Sequence, residues 1–320
     1  MNLFNKKKEK ISEMKNYYRM QNFTLRNIPD LDVCVLGALE LFNREEIPSL
    51  NIPYKRPLVV GSGNAEATGR IIFNDKDAVF ASESSYEGKL RNIKNIDGVV
   101  VVSASGGKHA PIIARKAKKK GKKVSLITTN DKSEAGKIVN DTFVLPRQKE
   151  PYTYNTSTYM GMILGKTGED AGEIYRFIKQ KIDKIDFRKF RKYDKFYLII
   201  PPEYGVGIKR MLEIKFIELF GRRIARDVET SEYIKHATTV VPSRELFISF
   251  GEKNEDYGRK GDRLFIPLPK NCSFGGMMAV GYYVIGKIQK SKPGWFKRNI
   301  SGYVENASRV FGSEIKAIVG

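Results

Sequence analysis

Residues 97–110 read Asp-Gly-Val-Val-Val-Val-Ser-Ala-Ser-Gly-Gly-Lys-His-Ala, and they constrain the fold more than any other stretch. A valine run with no alternating polar position is a strand buried on both faces, as in parallel sheets covered by helices. A helical pattern starts at Lys108. Ser103, Ser105, Gly106 and Gly107 therefore fall between the carboxyl end of a strand and the amino end of a helix. Free N–H groups and the helix dipole meet in such a turn, which suits an anion such as phosphate. In open α/β sheets, ligands occupy the crevice at that edge.

The surrounding chain alternates strand and helix, the pattern of a parallel sheet. Strands are expected over residues 58–61, 78–81, 99–102, 123–127 and 142–145, with helices over 64–73, 85 onward, 108–120, 133–139 and 155–164. Residues 3–20 read as a polar, Lys-rich helix, 32–43 as an apolar one and 51–57 as a Pro-containing linker. A helix over 170–185 leads into strands at 196–200, 223–228, 246–250 and 264–266, with helices over 204–220 and 274–288. Residues 57–74 and 195–216 share the order strand, Gly-containing loop, helix, which suggests two related halves.

The chain has 320 residues and a formal charge of +21. Its Lys and Arg are spread along the length, densest over residues 115–123. Such a balance attracts anions. No zinc spacing or basic–aromatic repeat accompanies it, so nucleic acid is not the expected partner and the charge reads as a solvated surface. Cys34 and Cys272 form no framework and fit a reducing cytoplasm. The start lacks a signal peptide's apolar core, and no apolar run is long enough for a spanning helix. A cytoplasmic protein with no membrane partner, no metal and no cofactor is expected.

Three loops carry candidate chemistry. Gly61-Ser-Gly-Asn-Ala-Glu66 opens the helix after the first strand. Glu66 stands where the dinucleotide fingerprint requires glycine, although Glu83 follows the second strand at the distance of a ribose ligand. The turn at Ser103, Ser105, Gly106 and Lys108 offers hydroxyls, N–H groups and a cation to a phosphate; His109 follows it. After the last strand of this half comes Glu150-Pro-Tyr-Thr-Tyr-Asn-Thr-Ser-Thr-Tyr159, whose Thr156, Ser157 and Thr158 are either helix N-cap residues or a second hydroxyl clamp.

Taken in order, strand–Gly-Ser-Gly–helix, Ser-x-Ser-Gly after a valine strand, and Glu with a Ser/Thr cluster resemble the SIS (sugar isomerase) domain family. The resemblance covers residues 40–166 and continues more loosely to the C-terminus. It implies an α/β chain of two doubly wound, five-stranded, three-layer SIS domains, with a helical segment over 1–50, a first domain over 51–166 and a second over 167–320. The pairing is similar to the isomerase unit of glucosamine-6-phosphate synthase and to the archaeal phosphoglucose/phosphomannose isomerases. By position the resemblance makes Gly63, Asn64, Ser103, Ser105, Thr156, Ser157 and Thr158 ligands of a sugar phosphate, and Ser62, Gly106 and Lys108 beside them are candidate ligands by their own chemistry. It also implies a homodimer.

In the second half, residues 212–218 (Leu-Glu-Ile-Lys-Phe-Ile-Glu) resemble the helix that carries the isomerase glutamate, and 233–237 the segment with the ring-opening histidine. Glu218 becomes the base that moves a proton between C1 and C2 through an enediolate, with Glu213 nearby, and His236 the ring opener. Two positions depart from the family. Lys108 replaces the usual Ser or Thr, and Gly302 stands where a lysine is expected, for which Lys297 or Lys316 would substitute. The expected function is aldose–ketose isomerisation of a sugar phosphate, the alternative a non-catalytic phosphosugar sensor.

Overall fold

A computed structural model of the chain describes residues 13–238 and 240–320. The helix expected over 3–20 lies partly outside the described residues; within them α1 is Lys15–Asn22. It packs on α2 (Leu31–Arg44).

The first sheet contains β1 (Pro57–Val60), β2 (Val79–Ala81), β3 (Gly98–Val102), β4 (Val124–Thr128) and β5 (Asp141–Val144). Its order is β2-β1-β3-β4-β5, with every pair parallel. The valine strand is central and buried on both faces. Val100 and Val102 join the large inner core, while Val99 and Val101 pack with residues of α4 (Tyr86–Asn92) and α5 (His109–Lys119) on the other side. α3 (Asn64–Ile72) covers the inner face through Ala67 and Ile71. The helix expected over 133–139 is a single 3-10 turn, Ala135–Lys137. There the Gly136 N–H donates to Ser133 Oγ at 3.1 Å, and a glycine with a competing side-chain acceptor disfavours a longer helix.

The chain then forms β6 (Glu150–Pro151), α6 (Thr156–Thr167) and α7 (Ala171–Phe177), which runs on through a π turn, Ile178–Ile182. A second parallel sheet follows: β7 (Lys195–Ile200), β8 (Ala225–Thr230), β9 (Leu246–Phe250) and β10 (Arg263–Ile266), in the order β10-β9-β7-β8. From β8 onward this repeats the first four positions of the other sheet, with β7 in the place of β1. The two strand–loop–helix segments read in the sequence thus hold equivalent positions.

Two expectations are corrected here. The second sheet has four strands among the described residues rather than five, and it is not doubly wound. Its outer face carries Tyr197, Ile199 and Ile234, packed against Phe247 and Tyr257 with no α-helical residue in the cluster. The crossovers on that side form only the 3-10 turns Ile234–His236 and Lys260–Asp262. Residues 251–262 hold three glycines and a single aromatic among charges, so they have no apolar stripe with which a helix could dock.

The two sheets share one interior. α2, α3, α6, α8 (Ile208–Phe220) and α9 (Phe274–Ser291) lie between them, and one cluster runs from Val59, Val100 and Val102 to Leu198, Ile200 and Ile248. Backbones meet closely across this layer. A Cβ on Gly286 of α9 would lie 2.1 Å from the Asp32 nitrogen of α2, and one on Gly207, φ +84°, would lie 2.6 Å from the Ala67 oxygen of α3. A polar knot ties the same layer: Tyr283 donates to Asp183 at 2.6 Å, and Lys287 bridges Asp183 and Asp32 at 3.1 and 3.2 Å.

After α9 comes a helix that the sequence reading did not place, α10 (Trp295–Phe311), which buries Phe296, Ile300, Val304 and Ala307. The tail then forms β11 (Ile318–Val319), antiparallel to β6. No described helix is long and apolar enough to cross a membrane.

Candidate functional site

A cleft of about 680 Å³ opens at the carboxyl ends of β1 and β3, the edge at which the strand order reverses. Ser103 Oγ accepts the Gly106 N–H at 3.2 Å and Ser105 Oγ the Gly107 N–H at 3.3 Å, so each hydroxyl retains its proton for a ligand. The turn requires its glycine. Gly106 has φ +59°, and a Cβ there would lie 2.5 Å from the Ser133 Cβ. Lys108, φ +52°, immediately precedes α5. Its ammonium lies 4.7 Å from the centre of the Phe311 ring and forms no ion pair among the described residues.

The first loop contributes Gly61 and Ser62 to the lining but not Gly63 or Asn64. Gly63 has φ +55° with open space around it. Asn64 is buried, and its Oδ1 has no hydrogen-bond partner. Ser62 donates to Glu83 at 2.9 Å, and the other Glu83 oxygen stands 3.4 Å from His109 Nε2. All three residues line the cleft.

The Ser/Thr cluster is used differently. Glu150 is 2% exposed and faces the amino end of α6. Its carboxylate accepts the N–H groups of Thr156 and Ser157 at 2.6 and 2.7 Å, and the Gln148 amide at 3.2 Å. A fixed carboxylate thus takes the place that an anionic ligand would hold at this helix end. Thr156 and Ser157 are buried; Ser157 Oγ accepts the Gln148 N–H at 3.2 Å. Of the three, Thr158 lines the cleft.

Between β6 and α6, Thr153 and Asn155 hold left-handed backbone, φ +77° and +45°. A β-branched residue adopts this at a cost of order 1 kcal/mol or more. Lys215, fully buried on α8, holds this segment by donating to the carbonyls of Thr153 and Tyr154 at 2.6 and 2.7 Å. The same ammonium lies 2.6 Å from Glu218. Burial pushes the Glu218 carboxyl above its ordinary range, and Lys215 opposes the shift. Glu218 does not itself line the cleft. It is close enough to Tyr152 and Tyr159, which do, for its charge to add to burial in raising both phenols.

His236 is exposed on the 3-10 turn after β8, where its ring neighbour is Tyr233, and it is not in the cleft lining. Glu213 is paired with Arg210 on α8. The residues brought together are therefore Ser62, Ser103, Ser105, Lys108 and Thr158.

The tail completes the cleft. Tyr152 N–H donates to Ala317 O at 2.8 Å and Arg147 to Gly320 O at 2.7 Å, which places Ile315, Lys316 and Ile318 in the lining. Arg147 and Tyr152 carry no local signal, because their positions depend on a pairing between β6 and the distant β11.

No protein-family model matches the sequence, and none of the curated proteins compared matches it. Solved structures do. Glucosamine-6-phosphate deaminase from Thermotoga maritima superposes with TM-score 0.52 at 14% identity, over 86% of this chain and 93% of its own. The C-terminal domain of glucosamine-fructose-6-phosphate aminotransferase from Francisella tularensis gives 0.52 at 12%, over 90% and 97%. A candidate tagatose-6-phosphate ketose/aldose isomerase from Clostridium novyi NT gives 0.54 at 11%, over 95% and 90%. The likeness is one of fold. It extends over 86% to 95% of this chain.

Proposed function

We propose that the chain is a SIS-type protein whose cleft binds a sugar phosphate and isomerises it between aldose and ketose. The observation that carries the reading is the Ser103–Lys108 turn. It offers two hydroxyl donors, each held by a glycine N–H, and an ammonium with no ion-pair partner among the described residues at one strand end, in a fold shared with proteins named for sugar phosphates. With the α6 amides capped by Glu150, phosphate sits on the β3–α5 turn alone. Glu218, buried and raised in pKa, is the base that shuttles a proton through the enediolate. A homodimer belongs to the same reading. Calorimetry with fructose 6-phosphate, and NMR of deuterium entry at its C1, test it. Binding should be lost in the Ser103→Ala/Ser105→Ala double variant and exchange in Glu218→Gln. A protein that binds no sugar phosphate refutes the proposal.

A second reading, a phosphosugar sensor without catalysis, is favoured by the engagement of Glu218 with Lys215 outside the cleft lining. Binding without exchange is its signature.

A further inference from the structure

The second sheet gathers cations that lie far apart in the sequence. The 3-10 turn Arg188–Lys192 leads into the amino end of β7, and Arg222 and Arg223 precede the amino end of β8. The two strands are parallel and Lys195 is in register with Ala225, so both groups lie at one edge. The end of α9 joins them. Lys292, just beyond it, donates to the Tyr193 carbonyl and pairs with Asp194 at 2.8 Å. Arg223 lies 5.3 Å from the centre of the Trp295 ring at the start of α10. Arg191, Lys192, Lys195, Arg222, Arg223 and Lys290 are exposed there, and none forms an ion pair among the described residues. The acids of the same segments are engaged elsewhere. Asp186 pairs with Arg188 at 2.8 Å, Asp194 with Lys292, and Asp262 accepts the Tyr193 hydroxyl. Asp227 lies on the outer face of the sheet, beside Tyr197 and Glu245.

The block over residues 115–123, densest in the sequence, is in a different state. Arg115 and Lys116 are paired with Glu134 and Glu87, and Lys118 and Lys122 donate to the carbonyls of Ile138 and Ile96. Uncompensated charge is therefore concentrated at the second sheet rather than on α5.

We propose that this edge binds the phosphodiester backbone of a nucleic-acid duplex. The cations are spread over several chain elements, so an extended polyanion meets more of them than a small anion does. Guanidinium forks suit phosphate oxygens, and each phosphate neutralised releases counterions. Contacts of this kind fix position and carry no base sequence. None of the large exposed apolar side chains among the described residues lies in these segments. The edge thus lacks the apolar groups that a membrane-surface binder buries in the interface. The inference is independent of what the cleft binds.

The test is fluorescence anisotropy of the full chain with a labelled DNA duplex of arbitrary sequence, over a range of salt concentrations. The variant Arg191→Gln/Lys192→Gln/Lys195→Gln/Arg222→Gln removes charge from the edge. The variant Lys118→Gln/Lys119→Gln/Lys120→Gln/Lys123→Gln removes the same charge from the α5 block. At about 0.1 M salt the edge variant should bind about tenfold or more weakly, and its slope of log affinity against log salt should be shallower by about three to four. The α5 variant should stay within about threefold of the wild type. Saturating fructose 6-phosphate should leave duplex binding unchanged. Thermal melts confirm that both variants are folded. Equal loss in the two variants overturns the inference, because net charge alone then attracts the duplex. Competition by fructose 6-phosphate overturns it by placing the duplex in the cleft. No binding by the wild type at low salt also overturns it, as does tighter binding to phosphatidylglycerol vesicles that the edge variant loses.

Discussion

The Lys215 ammonium lies 2.6 Å from the Glu218 carboxylate and also holds the two carbonyls of the left-handed segment that leads into α6. Lys215 is fully buried. A buried ammonium persists only with such a complete set of acceptors. Ion pair and backbone segment are one unit.

Lys215→Met removes that unit's centre. It leaves Glu218 buried without its partner and two carbonyls without donors, and should cost about 3 kcal/mol or more. Urea unfolding measures the loss. The double variant Lys215→Met/Glu218→Met removes the stranded charge and should recover part of it.

Glu150→Gln tests the capped end of α6. The neutral amide keeps the shape but loses the charge that two N–H groups and the helix end favour, at a cost of about 1–2 kcal/mol. Thermal unfolding of the two proteins at equal ionic strength reads the difference.

Gly106→Ala should spoil the turn between β3 and α5. Its left-handed backbone and the 2.5 Å approach of the new Cβ to Ser133 impose about 1–3 kcal/mol of strain. The loop relieves it by moving the Ser103 and Ser105 hydroxyls. Calorimetry should show phosphosugar binding lost, with a melting temperature only modestly lowered.

Asp183 sets part of the acid stability. Burial pushes its carboxyl up, but hydrogen bonds from Lys179, Tyr283 and Lys287 outweigh it and hold the group at about 2 against an ordinary 3.8. A depressed carboxyl stabilises the fold above its ordinary pKa and loses that contribution as pH falls through the folded value. Between about pH 4 and pH 2 the wild type should lose roughly 2 kcal/mol that Asp183→Asn never had. Urea unfolding across that range should give a steeper decline for the wild type.

Much of this was legible along the chain. The valine run announced β3, and the serines and glycines after it announced the turn between β3 and α5. Both signals are local. The shared order of residues 57–74 and 195–216 anticipated the matching places of β1 and β7. What could not be read depends on distant partners. The Ser/Thr cluster looked like a ligand clamp because nothing local shows that Glu150 turns back onto Thr156 and Ser157. Lys215 reads as a surface residue until the Thr153 and Tyr154 carbonyls are placed beside it. α10 did leave a trace. Phe296, Ile300, Val304 and Ala307 recur at helical spacing, in a segment read only for its family lysine.

The pairing of β11 with β6 also sets an order of events during synthesis. Every strand of the first sheet is translated well before residues 314–319, which supply one wall of the cleft. A nascent chain that has already folded this sheet presents the Ser103 turn open on one side. It gains the remaining wall of its cleft only after the second sheet and α10 have emerged from the ribosome. The shape of the cleft is thereby tied to completion of the C-terminal half.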